Sequence, residues 1–388
     1  MYTQCCQHHR RTRTRRKRIM NKKNQWGVGI VGVGGWGGTA HVPALEALEN
    51  YEVKALTGTR LDTAQAAAER HGIERFYTDV LEMAKQPDVD IVTITVKVPE
   101  HDHLIRMALE AGKNVYSEWP LSRTTSESKE LLVLAEEQGV NHVVGLQARG
   151  NPTVRYIRDL VTRGTVGRVL AVNAVITMPR FPTTNGNVDL AHVYLLDESN
   201  GADQLTIGAA HMLDAIEYMV APFAEVSATL ATQYPEVNIL ETGEVVRATA
   251  PDHVTITGKL TQGSIVSAQF INAGTPGFTL KIIGTEGEFI VTPRDGLMFQ
   301  MDRLNLSFAP TSGKVETLET PDDYFPFVTR DTAPGPGYNV AHLYALFSER
   351  INGVEVELPD FADAVRMHRL MDAIRAASVT GIRQTLEE

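Results

Sequence analysis

The sequence predicts an α/β protein: a doubly wound parallel sheet at the N-terminal end, followed by an α+β region built on a large, mostly antiparallel open sheet. Three observations predict it. Strand and helix patterns alternate from residue 26 to about 146. A glycine-rich turn separates the first strand pattern from the first helix pattern. After about residue 165 the chain changes to strands joined by short turns. A length of 388 residues suits two such domains, each large enough to bury a core.

The elements follow in order. Trp26–Val31 is an apolar strand, and a helix follows over Ala40–Leu48. Tyr51–Thr57 reads as a second strand and 64–71, rich in alanine, as its helix. Asp79–Lys85 is a short helix, Val89–Val98 a buried strand and His103–Ala111 a helix. Asn114–Ser117, Ser126–Gln138 and Asn141–Leu146 give strand, helix and strand. Further on, Val169–Met178, Glu225–Gln233, His253–Leu260, Ser264–Ile271, Thr279–Ile283 and Gly287–Val291 look like strands. Thr261-Gln262-Gly263 and Gly284-Thr285-Glu286-Gly287 are hairpin turns. Helices are expected over Gln204–Met219, Val340–Ile351 and Phe361–Ser378, with long loops over 180–202 and 310–337. The expected division is a basic tail over 1–24, a first domain over 25–146 and a second over 147–388.

The most informative stretch is Gly32-x-Gly34-x-x-Gly37, set directly between strand and helix. That context marks a dinucleotide-binding turn, the Rossmann fingerprint. Gly32 permits the tight turn, Gly34 lets backbone approach a pyrophosphate, and Gly37 lets helix pack on strand. The whole loop, Gly32, Val33, Gly34, Gly35, Trp36 and Gly37, is therefore assigned to the cofactor. A nicotinamide cofactor restricts the chemistry to hydride transfer or to sensing of the cofactor itself.

Composition excludes other classes. Residues 1–23 hold nine lysines or arginines and no acid, which leaves 28 basic against 47 acidic residues in the body. So acidic a body is a poor nucleic-acid binder. No apolar run approaches the 18 residues a membrane span needs. Both cysteines, Cys5 and Cys6, lie in the tail, so the body has no disulfide and no cysteine metal site, as suits the cytoplasm. The tail lacks the apolar stretch of an export signal, and Met20 reads as the natural start.

Several stretches now converge. They are the glycine loop, Ala111-Gly-Lys-Asn-Val-Tyr-Ser-Glu118-Trp119-Pro120-Leu121, Arg149-x-x-Pro152, Gly201-Ala-Asp-Gln-Leu-Thr-Ile207-Gly-Ala-Ala-His211-Met-Leu-Asp214, and Leu370-Met-Asp372 through Gly381. Together they resemble the glucose–fructose oxidoreductase / inositol dehydrogenase / MocA family from about residue 25 onward. The wording Glu118-Trp119-Pro120, Gly145-Leu-Gln147-Ala-Arg149 and Pro251-Asp252-His253 is most similar to the branch of the fungal galactose-regulon repressor. That branch keeps the fold and binds NAD(P), but acts by protein contact. The resemblance implies a cis bond before Pro120 and cofactor contacts at Val98, Pro99, His101, His103, Glu118, Trp119, Pro120, Gln147 and Arg149. It also implies a homodimer or homotetramer formed through the C-terminal sheet.

The catalytic residues carry over only in part. The family's Glu-Lys-Pro lysine is replaced by Trp119, which exchanges no proton and either stacks on the nicotinamide or packs. The aspartate four residues before the helix histidine is replaced by Ile207. His211 and Asp214 remain, three apart on one helix face. His211 is either the base for a substrate hydroxyl or a buried histidine satisfied by Asp214. Lys97, at the end of the strand Val89–Val98, is the candidate to replace the lost lysine, with burial lowering its pKa. Gly58 stands where an NAD enzyme places its ribose-binding acid. Thr57, Thr59 and Arg60 are then expected to bind a 2′-phosphate, favouring NADP over NAD. His101 and His103 lack a third ligand, so no metal is expected. Tyr194, Asp197 and Asn200 are either substrate-cleft or capping residues.

The residues thus support an oxidoreductase acting on a sugar, polyol or related hydroxy compound. A cofactor-sensing regulator is the alternative, and a non-redox enzyme that keeps bound nicotinamide a third.

Overall fold

The computed structural model describes residues 25–179, 181–296, 298–329, 332 and 335–386. The basic tail, with Cys5, Cys6 and Met20, lies outside them.

The first region runs β1 (Trp26–Val31), a π-helical turn (Gly37–His41) continuing into α1 (Val42–Glu46), β2 (Tyr51–Thr57), α2 (Leu61–His71), β3 (Phe76–Tyr77) and α3 (Val80–Ala84). It continues β4 (Ile91–Ile94), α4 (His101–Glu110), β5 (Asn114–Ser117), α5 (Thr125–Gln138) and β6 (His142–Val144). These strands form a six-stranded sheet in the order β3-β2-β1-β4-β5-β6, all parallel. Strand order reverses between β1 and β4, and ligands of such sheets bind at that switch point. Every residue of β1 is buried, which is why its sequence runs apolar without alternation. On α2 the buried positions are Ala64, Ala67 and Ala68, small residues that let the helix lie close to the sheet.

The second region opens with α6 (Pro152–Thr162), β7 (Val169–Thr177) and β8 (Asn187–Val188), then α7 (Ala210–Met219) and β9 (Phe223–Ala231). A π-helical turn, Gln204–Ala209, leads into α7. Next come β10 (Glu236–Ile239), β11 (Val245–Arg247), β12 (His253–Leu260), β13 (Ile265–Ile271), β14 (Gly277–Gly284), β15 (Gly287–Pro293), β16 (Leu304–Pro310) and β17 (Glu316–Leu318). The chain ends with α8 (Gly337–Ile351), α9 (Phe361–Thr380) and β18 (Gln384–Thr385).

Nine strands form one sheet, β17-β16-β15-β14-β7-β13-β12-β9-β18, antiparallel except where β7 and β13 run parallel. Along β12 and β13, Val254, Ile256, Leu260, Val266, Ala268 and Phe270 are buried while the intervening residues face out. This period-two alternation fixes the register, because a one-residue slip would move the apolar set into water. The helices α6, α7 and α9 share the core under that buried face.

The fold class is as expected, with differences in detail. The expected helix Gln204–Met219 is a π turn followed by α7. The strand expected over Val89–Val98 is paired only over Ile91–Ile94, so Lys97 lies beyond it, at the entrance of a 3-10 turn. The strands β16 and β17 are additional to those expected, although Leu304 and Leu306 alternate with outward residues and carry the signal. A separate three-stranded sheet, β11-β10-β8, takes its first strand, β8, from within the long loop 180–202. Helix α8 packs against β1 and α1: Val340, Leu343, Tyr344 and Phe347 share one core with Val28, Ile30, Leu45 and Tyr51. The first sheet's core is thus completed by a helix from near the C-terminus.

Candidate cofactor cleft and the helix beyond it

A cleft of about 910 Å³ opens over the switch point. Its floor is the glycine loop. Gly32 has φ +91°, a left-handed conformation that glycine adopts without strain. A Cβ on Gly37 would lie 2.2 Å from the Gly32 carbonyl oxygen and 2.5 Å from Thr95 Oγ1. Any side chain there would push the helical turn off the strand. A Cβ on Gly34 or Gly35 would meet nothing within 4 Å, because both face open space. Loop, packing and opening fit a dinucleotide whose diphosphate lies against this backbone.

Of the residues expected to bind it, Gly32, Val33, Gly34, Thr57, Thr59 and His103 line the cleft. Trp36 turns away and packs partly buried against the core under α8. Two expectations at the ribose end need correction. Arg60 does not face the cleft. Its side chain is 72% exposed and its guanidinium grips Asp62 through two bonds, at 3.1 and 2.5 Å, which holds the Asp62 carboxyl below its usual range. The Thr57 hydroxyl points inward to Met83 Sδ at 3.0 Å. The Thr63 hydroxyl, which sequence reasoning did not consider, donates to the Arg60 carbonyl. Arg70, also missed, lines the cleft, brought there by α2.

Beyond the loop, His101 is fully buried. Its Nδ1 meets the Pro120 carbonyl at 2.8 Å and its Nε2 the Val96 carbonyl at 3.0 Å. Burial pushes its pKa down, and it stitches the end of β4 to the Trp119–Pro120 peptide, which is cis as the resemblance implies. His101 is therefore a structural residue, not a cofactor contact. Val98 is buried among Leu195 and Ala202, with Tyr194 and Ile207 packed against them and Pro99 next in the chain.

The Glu118 carboxylate is held on both oxygens. Gln147 Nε2 donates to Oε2 at 2.8 Å, and His41 Nε2 faces Oε1 at 2.9 Å. His41 Nδ1 meets the Tyr344 hydroxyl at 2.8 Å, which in turn meets Thr93 Oγ1 at 2.9 Å. Sequence reasoning missed His41, although it lies one turn beyond Gly37.

The helix end departs most from expectation. Trp119 is 4% exposed; its indole N–H donates to the Thr206 carbonyl at 2.6 Å and its ring lies 4.8 Å from His368. It packs between the π turn and α9, and the stacking alternative is overturned. Asp214 does not serve His211. Its carboxylate takes Arg149 Nε at 2.9 Å and Nη2 at 2.5 Å, while Arg149 Nη1 reaches Asp363 at 3.1 Å. Arg149 thus ties three elements together and is not a cofactor ligand in this arrangement. His211 is 5% exposed, and its Nδ1 has no hydrogen-bond partner. Burial lowers its pKa to about 4. Lys97 is exposed, not buried, with its ammonium 4.7 Å from the centre of the Tyr194 ring. Asp197 caps Ser199 and Asn200 donates to the Tyr194 carbonyl, so both act locally. Among the described residues no cluster of histidine, cysteine or acid suits a metal ion.

Two family comparisons divide the chain as the geometry does. Residues 26–146 match the family described as "Oxidoreductase family, NAD-binding Rossmann fold", and residues 152–293 match "Gal80p, C-terminal domain". The first region belongs to the Gfo/Idh/MocA oxidoreductase family. The chain shares 34% identity over 218 residues with "Dehydrogenase aclE" of Aspergillus oryzae, a match spanning 55% of this chain and 58% of that one. It shares 22% identity with the galactose/lactose metabolism regulatory protein GAL80 of Saccharomyces cerevisiae, over 91% of this chain and 93% of that one. In structure it is similar to levoglucosan dehydrogenase in complex with NADH and levoglucosan, with TM-score 0.81 and 24% identity. That match covers 94% of this chain and 99% of the other. A super-repressor mutant of Gal80p from Saccharomyces cerevisiae also gives TM-score 0.81, at 21% identity, covering 93% and 98%. At these identities the structural matches speak for the fold. Dehydrogenases and a regulator thus stand side by side among its relatives.

Proposed function

We propose that this protein is a dehydrogenase that uses NADP(H) in preference to NAD(H) and acts on a hydroxyl or keto carbon of a sugar- or polyol-like compound. The observation that carries this is His211. It stands on α7 with a buried, unpartnered ring nitrogen, and because burial lowers its pKa to about 4 the ring is neutral at physiological pH, leaving a nitrogen not committed to any protein partner. Nicotinamide, when bound, supplies the hydride acceptor or donor. His211 takes the hydroxyl proton. The ammonium of Lys97, over Tyr194, holds a substrate oxygen at the cleft mouth. Glu118, fixed by His41 and Gln147, bounds the reacting pocket, and Arg149 with Asp214 positions α7 without touching substrate. The missing acid at Gly58 favours a 2′-phosphate.

Association through the outer face of the nine-stranded sheet completes the proposal. Val175 is 45% exposed and Ile265 62% exposed on that face, and a homodimer or homotetramer in the cytoplasm would cover them.

The regulator reading keeps one specific observation in its favour. The place of the family's catalytic lysine holds Trp119, packed and engaged with Thr206, and the place of its aspartate holds Ile207 in an apolar cluster. Absorbance at the reduced-nicotinamide band, with NADP⁺ or NADPH and a panel of sugars, polyols and keto-sugars, separates the two. Turnover that is lost in His211→Asn supports the dehydrogenase. Tight nucleotide binding without turnover on any compound supports the regulator.

A further inference from the structure

Gly58 leaves the end of β2 without a carboxylate. A Cβ there would lie 3.2 Å from the Ala64 Cβ, because α2 crosses close to the strand end. That close crossing has a second effect. The C-terminal turn of α2 comes back beside the glycine loop: a Cβ on Gly38 would lie 3.2 Å from His71 Nε2. Arg70, the neighbour of His71, lines the same cleft as Gly34, Thr59 and His103. It is the one arginine among the lining residues, it is exposed, and no acceptor engages it among the described residues. The nearest candidate cation in sequence, Arg60, is committed to Asp62. The one acid lining the cleft, Glu100, has His103 3.7 Å away. Thr59 is exposed on the cleft wall, whereas the Thr57 and Thr63 hydroxyls are bonded elsewhere.

We propose that Arg70, with the hydroxyl of Thr59, is the recognition site for the 2′-phosphate of NADP(H), so that cofactor choice is set from the last turn of α2 rather than from the β2–α2 turn. The guanidinium presents a planar fork of donors suited to two phosphate oxygens, and no local carboxylate competes for it. This rests on the NADP(H) reading above.

Calorimetric titration of the full chain with NADPH and with NADH tests it, using wild type, Arg70→Gln, Arg70→Lys and Arg60→Gln. The expected result is that Arg70→Gln raises the NADPH Kd about tenfold or more and leaves the NADH Kd within about twofold. Arg70→Lys, which keeps the charge but not the fork, should fall between, and Arg60→Gln should leave both affinities unchanged. A NADPH preference that survives Arg70→Gln overturns the Arg70 assignment alone. Equal weakening of both nucleotides also overturns it, since Arg70 would then be contacting the diphosphate. Wild-type protein that binds neither nucleotide removes the cofactor reading itself.

Discussion

The two ends of the candidate site are built differently. At the glycine end the contacts come from backbone: an open loop, a left-handed Gly32 and a helix turn that only glycine admits. At the helix end everything depends on side chains, and there the family's lysine and aspartate have given way to Trp119 and Ile207, both packed into apolar surroundings. Backbone-built sites leave few ways to change without losing the fold. Side-chain sites are re-specified by single substitutions, so a chain can keep its cofactor while its chemistry drifts.

The sharpest way to test that contrast is at His211. Its ring is buried but its Nδ1 bonds to nothing, so His211→Asn should cost about 1–3 kcal/mol of stability and leave the chain folded. The same variant should reduce kcat by about 10²–10⁴-fold, the usual worth of a positioned general base. An unchanged kcat would leave the helix end a structural element only.

Arg149→Ala attacks the scaffold of that end. It strands the fully buried Asp214, which loses its close cation, while Asp363 keeps Arg366 at 2.9 Å. Denaturant unfolding should show a loss of about 3–5 kcal/mol. A loss near zero would mean that Arg366, 3.7 Å from Asp214, takes over that carboxylate as well.

Acid should weaken the helix end in a graded way. Burial holds His211 and His368 at pKa about 4 in the folded chain, against 6.5 when unfolded. Between those values the unfolded chain binds protons that the folded chain refuses. The stability is therefore fully present above about pH 6.5 and declines as pH falls toward 4. By the lower end of that range each histidine should have cost about 3 kcal/mol, read from urea midpoints at successive pH values. A stability flat from pH 7 to 4.5 would contradict it.

The smallest effect expected is at Trp119. Trp119→Phe removes the bond to the Thr206 carbonyl while keeping most of the packing, and should cost about 1–2 kcal/mol. Nucleotide affinity should stay within about twofold. A large loss of NADPH affinity would place the indole against the cofactor after all.

Much of the fold is legible in the sequence because it follows from periodicity and turn chemistry. The run Trp26–Val31 and the alternation of Val254, Ile256 and Phe270 announce a doubly covered strand and a one-sided sheet. The glycine loop is legible for the same reason, since its glycines answer to local geometry. Side-chain partnerships are not. A spacing of three puts His211 and Asp214 on one helix face but cannot reveal that Arg149, 65 residues from Asp214 along the chain, takes the carboxylate. The apolar run through Val98 suggests a buried Lys97, but the strand pairing ends at Ile94, three residues earlier. Arg70 and His41 reach the site only through the way α2 and the π turn cross the sheet. Helix α8 completes the first sheet's core from more than 280 residues away, as the Tyr51–Tyr344 contact shows.

The central claim is that an adenine dinucleotide lies across the loop Gly32–Gly37. Calorimetry of purified wild-type protein with NADPH, NADP⁺, NADH and NAD⁺ tests it most directly. The expected result is saturable binding at one site per chain, tighter for the phosphorylated pair. Absence of heat with all four nucleotides would contradict it.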